Sequence, residues 1–541
     1  MMHPIRSAVV AAFAGFLTAP LSAAVLDATP SNYRSLLRTL KPGDTLNLAA
    51  GRYRGLPISN LRGTEEAWIT ITGPDAPPEA VILGTGDSNL VQIEDSSYVS
   101  IENLRIDSGG VPGAFGIAAH GQGRDLTHHI RIEGNTFVGQ NGSQQTDAIS
   151  SKTPTWGWII RYNRILGAGT GIYLGNSDGM QPFVAGIIEN NLIQDTLGYN
   201  MEIKHQVSIP EIPGMPLGPT STIIRNNVFI KNDQASPDGD RPNLLVGGFP
   251  DTGPGALSLY EIYGNYFLHN HREALFQGTG RFTLHDNVFV DGSYSYPAIV
   301  VMKQQSPVKL ALIYNNTIYT PGPGIRFAAR GLSGDAVVGN LIFSTVALAG
   351  PTTQQSDNIT ALPYQAAAYV RAPSLDATAD FHPLPGRCQG APIDLSLFHG
   401  NTGYSIDFNG ASKVGAKGAA VFRGAYASEG ENPGWRLQAG LKPPHIPRAG
   451  SAVQLVWVAP ATARSGASTT VTLTGAGFAP DATVRAAGEG IEVTKLVVES
   501  ETEIRVTLAV SPVAKPGARE LTVTGSRGSS NPLPIRITTL R

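Results

Sequence analysis

IRYNRILGAGTGIYLGNSDGMQPFVAGIIENNLI, residues 160–193, contains one full turn of a repeat. It opens on IRYNRI and closes on IENNLI, and the same phrase returns along the middle of the chain. It reads IENLRI at Asn103, IEGNTF at Asn135, IRNNVF at Asn227 and IYGNYF at Asn265. LHDNVF at Asn287, IYNNTI at Asn316 and VVGNLI at Asn340 complete the set, with Asn163 and Asn191 in the opening stretch. These asparagines lie 22 to 38 residues apart, a period that marks stacked repeats. The residues between them are β-branched and aromatic, broken by Gly and Asn, and no window sustains a helical stripe. The pattern predicts an all-β chain, a right-handed parallel β-helix whose rungs stack about 4.8 Å apart. The asparagines are expected to be structural, their amides hydrogen-bonding down the stack.

A second strand follows each phrase: GIAAHG (116–121), AISSKT (148–153), GIYLGN (171–176), NMEIKH (200–205), NLLVGG (243–248), ALFQGT (274–279), AIVVMK (298–303) and GIRFAA (324–329). Alternation sends Ile117, Ile149, Ile172, Met201, Leu244, Leu275, Ile299 and Ile325 inward. One outward column then holds His120, Lys152, Gly175, Lys204, Gly247, Gly278, Met302 and Ala328. The column beside it holds Ala118, Ser150, Tyr173, Glu202, Leu245, Phe276, Val300 and Arg326. Polar chemistry thus gathers on the first four rungs. Two long insertions, 207–221 after His205 and 233–243 containing Arg241, fall beside it and are expected to wall a groove.

The totals narrow the rest. Forty Lys and Arg against 42 Asp and Glu give no basic surface for nucleic acid. A single cysteine, Cys388, excludes an intrachain disulfide. Residues 1–24 read as a secretory leader, with Arg6, the apolar AVVAAFAGFL and a small-residue site at Ser22-Ala23-Ala24. The alternative is a buried N-terminal helix. The apolar run is too short to span a bilayer, and no other segment is longer. A monomer, secreted or periplasmic, is expected. A short helix from Tyr33 to Leu40 is expected to cap a β-helix over 25–440, with 407–426 as its last, irregular coil. Residues 441–450 read as a Pro-rich linker. Alternating strands over 451–541 suggest a sandwich, and the turn Thr474-Gly475-Ala476-Gly477-Phe478 resembles the IPT/TIG immunoglobulin-like domains.

TDAISSKTPTWGWIIRYNRI (146–165), together with LKPGDTLNLAAGRYRG and GTEEAWITITG near the start, resembles the pectin-lyase-like polysaccharide lyases of family 6, the alginate lyases and chondroitinase B. The resemblance covers about residues 30–180. It implies that Lys152 is a base and Asp147 a calcium ligand. Gln145 stands where the family has a second carboxylate. Leu174 or Gly175 stands where it has a catalytic Arg, leaving Lys204 or Arg225 to substitute from another rung.

β-Elimination on a uronate polymer needs a neutralised carboxylate, a base and a proton donor. Lys152, Lys204, His120 and Arg225 are the candidate catalytic groups. Glu202, His205, Tyr173, Arg241 and Arg326 are the candidate substrate contacts. Asp147, Glu202 and Asp178 are the oxygen donors available to Ca2+. Several have a plainer reading: solvated lysines on a strand, turn histidines, a Glu202–Lys surface pair, a solvated Arg241 in its loop. The expected function is cleavage of an acidic polysaccharide by a lyase. The alternatives are a non-catalytic glycan-binding or cell-surface protein, or a glycoside hydrolase or uronate epimerase.

Overall fold

The structure, a computed structural model, describes residues 24–538 apart from 66, 75–76, 85, 87, 120–126, 414–418, 443–452, 460–461, 501–502 and 516. The expected leader, His120 and most of the expected linker therefore lie outside the described residues. Short strands stack into three parallel sheets of fifteen, twelve and eleven strands. Each coil visits them in turn: Ile187–Glu189 in the first, Leu192–Gln194 in the second, Met201–Ile203 in the third. The chain is a parallel β-helix. Its interior is a continuous apolar column in which Ile132, Ile160, Ile188, Ile224 and Ile262 succeed one another down the first sheet. A helix at Tyr33–Leu37 covers the open end, burying Tyr33 and Leu37 on the first coils. It is shorter than the sequence pattern predicts.

The asparagine ladder sits at the turn from the first sheet to the second. Each side chain donates from Nδ2 to Oδ1 of the next asparagine, 3.0 Å from Asn163 to Asn191 and 2.9 Å from Asn191 to Asn227. The same Oδ1 accepts the backbone N–H of the preceding asparagine, and Nδ2 also reaches a carbonyl of the previous rung. Every member from Asn135 to Asn340 is buried and hydrogen-bonded. The residue before each ladder asparagine is left-handed, with φ of 57° at Tyr162, 55° at Asn190 and 56° at Asn226, which explains why Gly, Asn and Asp crowd that position. The register corrects the expectation at Asn103. That residue occupies the left-handed position, and Leu104 takes the ladder site, its N–H donating to Asn135 Oδ1. At the far end Asn358 extends the ladder beyond Asn340.

On the outside of the first sheet, charges alternate rung by rung through Glu133, Arg161, Glu189 and Arg225. Arg225 Nη2 lies 2.8 Å from Glu189, and its Nη1 donates to Tyr263 Oη at 2.9 Å. Both Arg225 and Glu189 are buried. Replacing Arg225 with methionine is expected to lower the unfolding free energy by about 3 kcal/mol, because a buried carboxylate loses its close partner. An unchanged urea midpoint would refute that.

Among the described residues, none after Ile359–Ala361 adds a further rung. The chain runs back as a strap along the outside of the first two sheets. Phe381, Cys388, Phe408 and Tyr426 pack on Val228, Tyr266, Val288 and Leu341, while Leu395 and Phe398 pack on Leu312 and Tyr314. The described residues of the stretch 407–426, expected as a last coil, belong to this strap, because outward-facing apolar side chains on the sheets give them a surface to cover. Lys442, placed by its sequence in a linker, is buried, its ammonium donating to Gly264 O at 2.7 Å and Phe408 O at 2.6 Å. Beyond it, strands from Gln454–Ala459 to Leu533–Thr538 form an antiparallel four-stranded sheet and a second sheet of five, packed over Leu473, Val506, Leu521 and Ile535.

Candidate functional site

The third sheet aligns the columns nearly as the alternation predicts. Ser150, Tyr173, Glu202, Leu245, Val300 and Arg326 are one ladder, and Lys152, Gly175 and Lys204 follow on the next outward position. One rung is slipped. Phe276, not Leu275, faces inward opposite Leu244, so Gln277 and Thr279 replace Phe276 and Gly278 in the outward columns. Both Leu275 and Phe276 are buried, and two adjacent apolar residues give alternation no phase.

Tyr173 lies at the centre. The ammonium of Lys152 stands 5.1 Å from its ring centroid and that of Lys204 5.3 Å. Lys152 also lies 4.5 Å from the Phe115 ring. Each lysine is backed by a buried carboxylate. Lys204 Nζ donates to Glu202 Oε1 at 2.7 Å. Lys152 Nζ approaches Asp147 Oδ2 to 3.1 Å, as an ion pair outside hydrogen-bonding geometry. Burial pushes the Asp147 carboxyl up to about 7, although Lys152 draws it down, and burial likewise raises Glu202 against the pull of Lys204. The Tyr173 hydroxyl, 2.7 Å from Ser177 Oγ, is pushed up to about 12 by burial. His205 follows Lys204, its imidazole packed under Gly179 and lowered by burial and by Lys204. Gly247 makes room for this turn, since a Cβ there would collide with the backbone nitrogen of His205.

The insertion 233–243 does wall the site. Its tip crosses to the loop before Asp147, where Gln144 donates to Gly239 O at 2.8 Å and accepts from Asp238 N–H at 2.8 Å. Gln145 Nε2 donates to Asp238 at 3.1 Å, so it serves as a clasp. The loop brings the Arg241 guanidinium 5.7 Å from the Tyr199 ring, on the flank of Glu202. Tyr199 and Phe115 escaped the sequence reading because neither lies in the outward columns.

Other expected members lie elsewhere. Arg225 is on the outside of the first sheet, tied to Glu189 and Tyr263, because its strand precedes the ladder asparagine. Arg326 is exposed in the Tyr173 column, four rungs beyond Glu202, about 19 Å at ordinary rung spacing. Asp178 is exposed in the turn after Thr170–Leu174, where it accepts the Met180 N–H. The donors proposed for Ca2+ do not fit such an ion. Asp147 and Glu202 each face an ammonium, which puts positive charge where the metal would sit, and Asp178 points into another turn. Among the described residues no three carboxylate, imidazole or thiol groups converge.

Residues 452–535 match the family described as quinohemoprotein amine dehydrogenase, alpha subunit domain III. No curated protein matches the sequence. Solved structures similar to the chain include the PL6-family alginate lyase AlyGC, at 15% identity and a TM-score of 0.43. That match covers 62% of this chain and 51% of the lyase, so the chain spans about half of that protein. A mannuronic-acid-specific family 6 lyase from human gut microbiota is 12% identical, with a TM-score of 0.32, over 62% of this chain and 91% of that one. PfbA, a surface adhesin of Streptococcus pneumoniae, is 11% identical, with a TM-score of 0.36, over 66% and 90%.

Proposed function

We propose that the third sheet binds a uronate-containing polysaccharide over Tyr173 and cleaves it by β-elimination, outside the cytoplasm. The observation that supports this reading is the pair of ammonium groups flanking one tyrosine ring. Lys204, with Arg241 behind it, neutralises the uronate carboxylate and so acidifies the neighbouring C–H. Lys152 takes that proton, and the Asp147 carboxylate beside it, which burial pushes up to about 7, can accept it in turn. Tyr173 keeps its proton at neutral pH and donates it to the departing glycosidic oxygen. The elimination leaves an unsaturated uronate end.

A second reading, a glycan-binding protein without turnover, is favoured by the ion pairs themselves, which engage both lysines with buried carboxylates. Incubating the full chain with alginate, pectate and glycosaminoglycans, with and without chelator, separates the two. A rise in ultraviolet absorbance from unsaturated ends is expected on one of these polymers, and loss of that rise with chelator would restore the calcium expectation. Binding without any rise selects the second reading, and neither signal removes both.

A further inference from the structure

Far from the glycan face, where the strap crosses the coil, three buried side chains of complementary reactivity meet. Asp286 and Asn315 hold the left-handed turn position on successive rungs, with φ of 52° and 50°. Lys413 comes down on them from the strap. Its Nζ lies 2.5 Å from Asp286 Oδ2 and 3.4 Å from Asn315 Oδ1. All three are buried, and Phe422 and Tyr426 line the small recess beside them. The Lys413 ammonium also lies 5.1 Å from the Tyr314 ring. Asn315 Nδ2 donates to Gly339 O and Phe422 O, both at 3.3 Å, which fixes the amide with its oxygen toward the amine. An ion pair alone accounts for Lys413 and Asp286. The Asn315 amide carbonyl is held against the same nitrogen, which sets its carbon beside the amine.

We propose that Lys413 and Asn315 join in an intramolecular isopeptide bond, with Asp286 carrying the proton. The neutral amine of Lys413 attacks Cγ of Asn315, and the Nζ–Cγ bond forms as the carbonyl electron pair moves to Oδ1. Asp286 steadies that oxygen through its proton. Collapse restores the carbonyl and breaks Cγ–Nδ2. The nitrogen leaves as ammonia, with its own two hydrogens and one relayed from Nζ through Asp286. One amine and one primary amide become a secondary amide and ammonia, so no oxidant or cofactor is needed. The surroundings favour the required protonation. Burial pushes the Asp286 carboxyl up to about 8 and lowers the Lys413 ammonium, so the proton moves toward the carboxyl. The other charged or titratable neighbours are His285, whose Nδ1 lies 2.6 Å from Asp286 Oδ2 and which burial keeps neutral, Tyr314 and Tyr426, whose hydroxyls burial keeps protonated, and Asp407 and Lys442.

The bond would tie residues 98 apart, in a chain whose single cysteine offers no disulfide. It would also anchor the segment that carries the C-terminal sandwich. Ile406 packs on the sandwich core, and Gln454 Nε2 donates to Gly410 O at 3.1 Å. The test is mass spectrometry of the purified full chain, intact and after trypsin. The unmutated protein is expected about 17 Da below its sequence mass, the weight of the ammonia lost, with one branched peptide joining Lys413 to Asn315. Lys413→Arg and Asp286→Asn are each expected at full mass. A parent chain in which trypsin cleaves after Lys413 overturns the proposal, whatever the variants do. So does a mass deficit that persists in Lys413→Arg, since another site would then be its source.

Discussion

Asn227→Leu is expected to cost about 3–6 kcal/mol of stability, more than an ordinary core substitution. The arithmetic is local. Asn227 Oδ1 accepts both the backbone N–H and the Nδ2 of Asn191, at 3.1 and 2.9 Å. Its Nδ2 donates to Ile188 O and to Asn265 Oδ1, at 2.9 and 3.0 Å. Leucine matches the volume and supplies none of these bonds. It leaves two donors and one carbonyl orphaned where no water reaches, each worth about 1–3 kcal/mol. The native chain shows where leucine is tolerated. Leu104 occupies the same site at the upper end of the ladder, where Asn135 Oδ1 still receives its N–H. Urea unfolding followed by tryptophan fluorescence measures the loss, and a midpoint equal to the parent's would contradict it. Asn135, nearer that end, should be less sensitive than Asn227.

The ladder also shows how far the sequence carries. A period of asparagines in β-branched surroundings is a local pattern, so coil and core were legible from it. The exceptions were local ambiguities. IENLRI carries its asparagine one place early, and SDNITA hides Asn358 because a polar pair replaces the usual apolar one before it. What the sequence could not show lies at long range. The strap is fixed by contacts such as Thr402 Oγ1 with Glu261, 141 residues apart, and its own residues have no period. The site divides the same way. Lys152, Tyr173, Glu202 and Lys204 fall into line because rung alternation places them. Arg241 was legible only as a charge on a wall, and its approach to Tyr199 depends on where the insertion folds back. Arg225 was misleading for a related reason. Its charge is conspicuous, but its strand lies on the first sheet, where it completes a charge ladder.

Lys152→Ala is expected to lower turnover of a cleaved uronate polymer by about 10²–10⁴-fold, the contribution of a positioned base. The fold should survive. The lysine is half-buried at the sheet surface, and the Asp147 carboxyl left behind can take a proton, since burial already holds it near 7. Binding should weaken far less, because Lys204 and Arg241 remain. Equal losses in kcat/KM and in affinity would make Lys152 a binding cation only. The pH profile adds a second check. An ionised Asp147 can accept a proton passed on by Lys152, and a protonated one cannot. The rate is therefore expected to fall as pH drops through about 7, where Asp147 takes up its proton. Asp147→Asn removes the group that titrates near 7, so the break in its profile should leave that pH, whatever its absolute rate. An acid limb unchanged in Asp147→Asn would assign the titration to another group and leave the Lys152–Asp147 pair without its proposed part in proton transfer.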